Sequence, residues 1–108
     1  MTASGNVFAD LSRQRSEEQI SILACFPGAR IERIVSTGQA SPPGFWYDQD
    51  KPEWVVVLSG SAGLLFEGEA APRVLRAGDH VLIQPHIRHR VAWTDADAPT
   101  VWLAVHGE

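Results

Sequence analysis

The sequence predicts an all-β sandwich or barrel, and three observations carry that prediction. Turn-forming residues recur at short intervals: Gly38, Pro42-Pro43-Gly44, Gly60, Gly68, Pro72, Gly78-Asp79, Pro85 and Pro99. The runs between them are short and strand-like: EWVVVLS at 53–59, AGLLFEG at 62–68, RVLRA at 73–77, HVLIQ at 80–84, HRVAWT at 89–94 and TVWLAVH at 100–106. No long run with helical apolar spacing interrupts them.

Residues 1–18 read as an arm with weak structure, ahead of one domain over 19–108. Ser16-Glu-Glu-Gln19 fits a helix capping box, yet the residues after it alternate polar and apolar: Gln19, Ile20, Ser21, Ile22. Alternation favours a strand over 19–25, a Pro27-Gly28 turn and a second strand over 30–37. In the 53–59 run, Glu53, Val55 and Val57 share one face; Trp54, Val56 and Leu58 share the other. Both faces are apolar beyond the acid, so this strand is expected to be covered on both sides. In so small a barrel the outer cover is either the N-terminal arm or a second subunit. A homodimer using outward positions such as Trp54 and Val56 is the expectation.

A chain of 108 residues suits one domain around one core. The single Cys25 forms no internal disulfide and reads as a buried thiol. The polar N-terminus lacks a signal-peptide apolar stretch, and no apolar run reaches bilayer-spanning length. A cytoplasmic protein is expected. The net charge of -4 argues against nucleic-acid and anionic-membrane partners. There is no P-loop, dinucleotide fingerprint, nucleophile elbow or CxxC.

Two segments carry a resemblance. Glu53 followed seven positions later by Gly60 fits the second half of the signature G-x5-H-x-H-x3,4-E-x6-G. GDHVLIQPHIRHRVAW fits G-x5-P-x-G-x2-H-x3-N without a gap, with Gly78 in the first slot and His89 in the histidine slot. Over roughly residues 30–108 the chain therefore resembles a small single-domain cupin. The run GFWYDQ, EWV, Gly60, with HRVAWT and WLAVH, resembles an uncharacterised bacterial subgroup. The resemblance implies a cupin-like double-stranded β-helix, a jelly-roll barrel with an N-terminal arm. The departures are equally specific. Counting back from Glu53 puts the paired histidines at Tyr47 and Gln49, or at Trp46 and Asp48, and no register yields a His. In the second signature Gln84 takes the proline slot, His86 the glycine slot and Trp93 the asparagine slot. Of the family's three-His, one-Glu ligand set, Glu53 and His89 carry over.

A divalent transition metal (Fe, Mn or Zn) needs three or four N/O donors converging from rigid elements. Glu53 and His89 supply two; His86, His106, Asp48 and Gln49 are the candidates for the others. Two imidazoles and a carboxylate with open positions suit metal-bound oxygen or water chemistry. The alternatives are an ion pair of Glu53 with Arg88 or Arg90, and a turn role for His86. His80 reads as a solvated strand end. Phe45, Trp46 and Tyr47, with Val55, Val91 and Trp93 on the inward face, are expected to line a small-molecule pocket. The expected functions are a metal-dependent small-molecule cupin, a metal-free binding or sensing module, or a structural dimer.

Overall fold

The computed structural model of the chain describes residues 2–11 and 16–108. Among these residues every regular element is a strand: β1 (Gln19–Phe26), β2 (Ala29–Ser36), β3 (Glu53–Ser59), β4 (Ser61–Phe66), β5 (Arg73–Arg76), β6 (His80–Ile83), β7 (His89–Thr94) and β8 (Thr100–Gly107). They form two antiparallel sheets, ordered β1-β2-β8-β3-β6 and β5-β4-β7. This is the all-β, double-sheet barrel that the turn spacing predicts. The expected arm includes residues 1 and 12–15, which lie outside the described residues.

Alternation decides the two faces of the larger sheet. Val55, Val57, Trp102 and Ala104 point inward and pack with Ala62, Leu64, Phe66 and Leu75 of the smaller sheet. Cross-strand register aligns the inward side chains in rows. One row runs Ile83, Glu53, His106, Arg30, Cys25 across five strands; the next runs Val81, Val55, Ala104, Glu32, Ile22. The apolar rows close the barrel's middle, and the row carrying Glu53 and His106 lies at its rim. The row ends at Cys25 on the edge strand β1, where no further strand covers it. Cys25 is thus exposed, not buried.

Gly60 explains the glycine of the first signature. Its φ is +83°, and a Cβ there would sit 2.7 Å from the backbone of Pro99 and Thr100. No side chain fits that turn without moving β8.

Trp93 departs from expectation. The β4–β7 register shifts between Gly63 and Leu64, so that Gly63 faces Trp93 while Leu64 faces Val91. This irregularity at Ala92 reverses the alternation of β7. His89 and Val91 face the barrel; Trp93 turns out, 36% exposed, and its indole covers the bare backbone of Gly63. It does not face the barrel interior.

On the outer face, the N-terminal segment lies over β2. The buried Arg33 guanidinium donates to the Val7 and Ala9 carbonyl oxygens at 3.2 and 2.7 Å. An apolar stripe, Leu82–Trp54–Val105–Ile31, crosses the same face through register pairs. Its members are half-buried, except Leu82, which is exposed. No helix of the described residues is long and apolar enough to cross a membrane.

Candidate functional site

A cavity of about 250 Å³ opens between the sheets at the rim. Its apolar wall includes Ile34, Val55, Leu64, Ile83, Val91 and Trp102; its polar wall is Glu18, Arg30, Glu32, Tyr47, Gln49, Glu53, His89 and His106. The strands deliver these groups by register. Glu53 stands directly opposite His106, and His106 opposite Arg30. Glu32 follows two residues after Arg30 on the same face. His89 arrives from the other sheet, on the first residue of β7.

The long loop between β2 and β3 completes the wall. It docks along β7: the Ser41 N–H donates to the Val91 carbonyl at 2.9 Å, and Tyr47 and His89 exchange backbone bonds of 2.7 and 3.2 Å. The Tyr47 ring stacks on His89 with centroids 5.4 Å apart. Of the two registers for the missing histidine pair, Tyr47 and Gln49 are the residues that line the cavity. Period two in an extended segment accounts for this, because residues 47 and 49 share a side.

Glu53 is the centre of the polar wall. It is 8% exposed, and none of the hydrogen bonds formed within the described residues reaches its carboxylate. The nearest imidazole nitrogens are the His106 Nε2 at 3.7 Å and the His89 Nε2 at 3.9 Å, both beyond hydrogen-bond reach. Burial raises its pKa above the ordinary glutamate range; His106 and His89 oppose the shift, Glu32 adds to it and Arg30 reduces it. Burial, and then the negative charge of Glu18 and Glu53, also raise the pKa of Tyr47. The phenol therefore stays protonated and able to donate.

The two imidazoles are held differently. His89 Nδ1 lies 2.8 Å from the Ile87 carbonyl oxygen. A carbonyl only accepts, so Nδ1 carries the hydrogen and the Nε2 of a neutral ring keeps a free lone pair toward Glu53. His106 Nε2 lies 2.9 Å from Glu32 Oε1 and donates there. Glu32 is also gripped by the Arg30 Nε at 3.1 Å, and Arg30 reaches Glu108 at 3.0 Å.

Other sequence-predicted residues sit elsewhere. His86 and Asp48 pair with each other at 2.9 Å on the open rim, with the His86 side chain 69% exposed. The backbone at His86, in the family's glycine slot, is left-handed at φ 63°. Neither residue lines the cavity. Phe45 is exposed and packs edge-on against Tyr47; Trp46 lies under the Arg88 guanidinium. Neither lines the cavity either, because they flank Tyr47 on the loop's outer side. Arg88 pairs with Glu67 and Arg90 with the Ser41 and Pro42 carbonyls, so neither serves Glu53. His80 is exposed, as expected of a strand end. Sequence reasoning missed Glu18, Arg30 and Glu32. The Arg30-x-Glu32 alternation was the available signal, but its meaning depends on β2 pairing with β8.

The donor types, two imidazoles with carboxylates, suit a transition metal. Glu53 and His89 Nε2 have free lone pairs. His106 Nε2 is already committed to Glu32 and must lose its hydrogen before it ligates. Consistent with that, no group of three or more His, Cys, Asp or Glu among the described residues is disposed to hold a metal ion.

Comparison with known proteins matches this geometry to a family. Residues 33–106 match the Cupin domain family, and the chain belongs to it. A candidate mannose-6-phosphate isomerase of Ralstonia eutropha is 55% identical, with 99% of each chain covered and a TM-score of 0.95. A Cupin 2 conserved barrel domain protein of Salinispora arenicola is 24% identical, covering 100% of this chain and 89% of the other at a TM-score of 0.71. KdgF of Halomonas sp. is 18% identical, covering 94% and 90% at a TM-score of 0.72. The last two likenesses concern the fold alone. A comparison with curated proteins gives no match.

Proposed function

We propose that this cupin binds a small organic molecule in its barrel, with Glu53 as the principal anchor and His89, His106, Tyr47 and Gln49 around it. One observation carries the reading. Glu53 is a buried carboxylate that faces a cavity and accepts no hydrogen bond from the described residues, with the His106 and His89 imidazoles 3.7 and 3.9 Å away. Burying such a group without a hydrogen bond costs stability, and a ligand that donates one relieves that cost. The apolar wall supplies contact area and the few polar groups supply orientation. The naming of the Ralstonia eutropha relative as a candidate mannose-6-phosphate isomerase supports a metabolite-sized ligand.

A thermal-shift screen of metabolites in chelator tests this. Compounds that stabilise the wild type are expected to lose their effect on Glu53→Gln and keep it on His86→Ala. Hits that survive Glu53→Gln would sink the reading.

A second reading places a divalent transition metal on Glu53 and His89, with His106 or Gln49 as the third donor. The fixed Nδ1–H of His89, which leaves Nε2 free toward Glu53, favours it. Such a metal would supply Lewis-acid activation of a bound oxygen. Elemental analysis of untagged protein decides: a stoichiometric transition metal that falls away in Glu53→Gln supports this reading, and substoichiometric metal that reloading does not increase removes it.

A further inference from the structure

We propose that the barrel site takes a small organic cation, an amine-bearing molecule with a compact apolar body, and excludes phosphorylated and carboxylated ligands. This rests on the reading of the barrel as a ligand site and names the ligand's class. Among the described residues, the charges lining the cavity are three carboxylates, Glu18, Glu32 and Glu53, against one guanidinium, Arg30, and two imidazoles. Even with one imidazole charged, the carboxylates outnumber the cations. The guanidinium is moreover already neutralised: it bonds Glu32 at 3.1 Å and Glu108 at 3.0 Å. Among the described residues, a phosphate dianion entering this wall meets a guanidinium already paired with Glu32 and Glu108, and the carboxylates of Glu18 and Glu53. Like charges at such close range, in a partly enclosed site, oppose binding strongly.

The carboxylates are not equivalent. Glu18 accepts from the Ser36 hydroxyl at 2.6 Å, and Glu32 accepts from Arg30 and His106. Glu53 is nine-tenths buried, faces the cavity and has no short partner among the described residues. An ammonium group supplies what it lacks: N–H donors and a positive charge at hydrogen-bond distance. The cavity's apolar wall, aliphatic side chains with the Trp102 indole, suits a hydrocarbon body rather than a hydroxyl on every carbon. Its volume of about 250 Å³ suits a small, compact ligand.

An isosteric series tests the class. Full-length protein in EDTA is titrated calorimetrically with cyclohexylamine, cyclohexanol, cyclohexanecarboxylate and mannose-6-phosphate. Cyclohexylamine is expected to bind about tenfold or more tighter than cyclohexanol, with no heat from the two anions. Glu53→Gln should erase the amine's advantage, and Glu67→Gln, an exposed carboxylate outside the cavity, should preserve it. Equal binding of amine and alcohol, or tighter binding of either anion, overturns the cationic class and leaves the barrel as a ligand site. Silence from all four probes overturns this inference, while the metabolite screen on Glu53→Gln judges the underlying reading separately.

Discussion

Glu53 opposes stability where it stands, and that sets a measurable sign. Its folded-state pKa is raised by burial above the value of about 4.3 that an unfolded chain has. Below that unfolded value the group is protonated in both states and costs nothing. As pH rises through the folded-state value, the buried carboxylate must ionise and stability is lost. Glu53→Gln removes the ionisation. The variant should match the wild type near pH 4 and exceed it at neutral pH by about 1 kcal/mol, a rise of several degrees in Tm. Thermal melts at the two pH values check this, and a variant less stable at neutral pH contradicts it. At this scale the sequence exposed Glu53 and His89 through signature spacing. His106 was visible only as one donor among several. Arg30 and Glu32 were not legible, because they join the site through β2–β8 pairing across more than seventy residues, and no local pattern encodes that pairing. His86 and Asp48 looked like donors by proximity to His89 and Glu53, but a left-handed turn at His86 sends its side chain to the rim instead.

Strand boundaries followed closely from turn chemistry, because Gly and Pro mark the turns of a small jelly roll. Faces followed from alternation wherever the ladder is regular. β7 shows the limit. One register shift against β4 turns Trp93 outward, and no residue type in HRVAWT announces it. The bulge and Gly63 form a unit, since the indole occupies the space that a side chain at 63 would need. Gly63→Ala should therefore cost about 1–3 kcal/mol by overpacking. Adding Trp93→Ala should recover most of that loss, a coupling that denaturant melts of the two single variants and the double variant will read. Additive losses would mean that Trp93 does not hold this position. The β2–β3 loop was legible as aromatic and proline-stiffened. Its docking on β7, which carries Tyr47 onto His89, depends on backbone bonds that composition does not reveal.

At the scale of the molecule, the outer face of the larger sheet divides into two zones. The N-terminal segment covers the part around Arg33, and the Leu82–Trp54–Val105–Ile31 stripe crosses the rest. Leu82 is 56% exposed at the end of that stripe. Contiguous apolar surface of this kind is what a self-association face needs. The expected state is a dimer through this face, read by light scattering at micromolar concentration. Leu82→Glu should convert it to monomer with the barrel intact by circular dichroism. A wild-type monomer would contradict the expectation. The N-terminal segment lies over β2, so the cover of the outer face of β3 is what this measurement reads.

The central claim is that one end of the barrel, built around Glu53, is where a ligand binds. Histidine-selective NMR tests it most directly, because the chain has 4 histidines and they divide between two environments. His89 and His106 line the cavity; His80 and His86 lie exposed outside it. On titration with a compound that stabilises the wild type, the signals of His89 and His106 should shift in step with binding while those of His80 and His86 stay fixed. Shifts at His86 or His80 with His89 and His106 unmoved would contradict the claim.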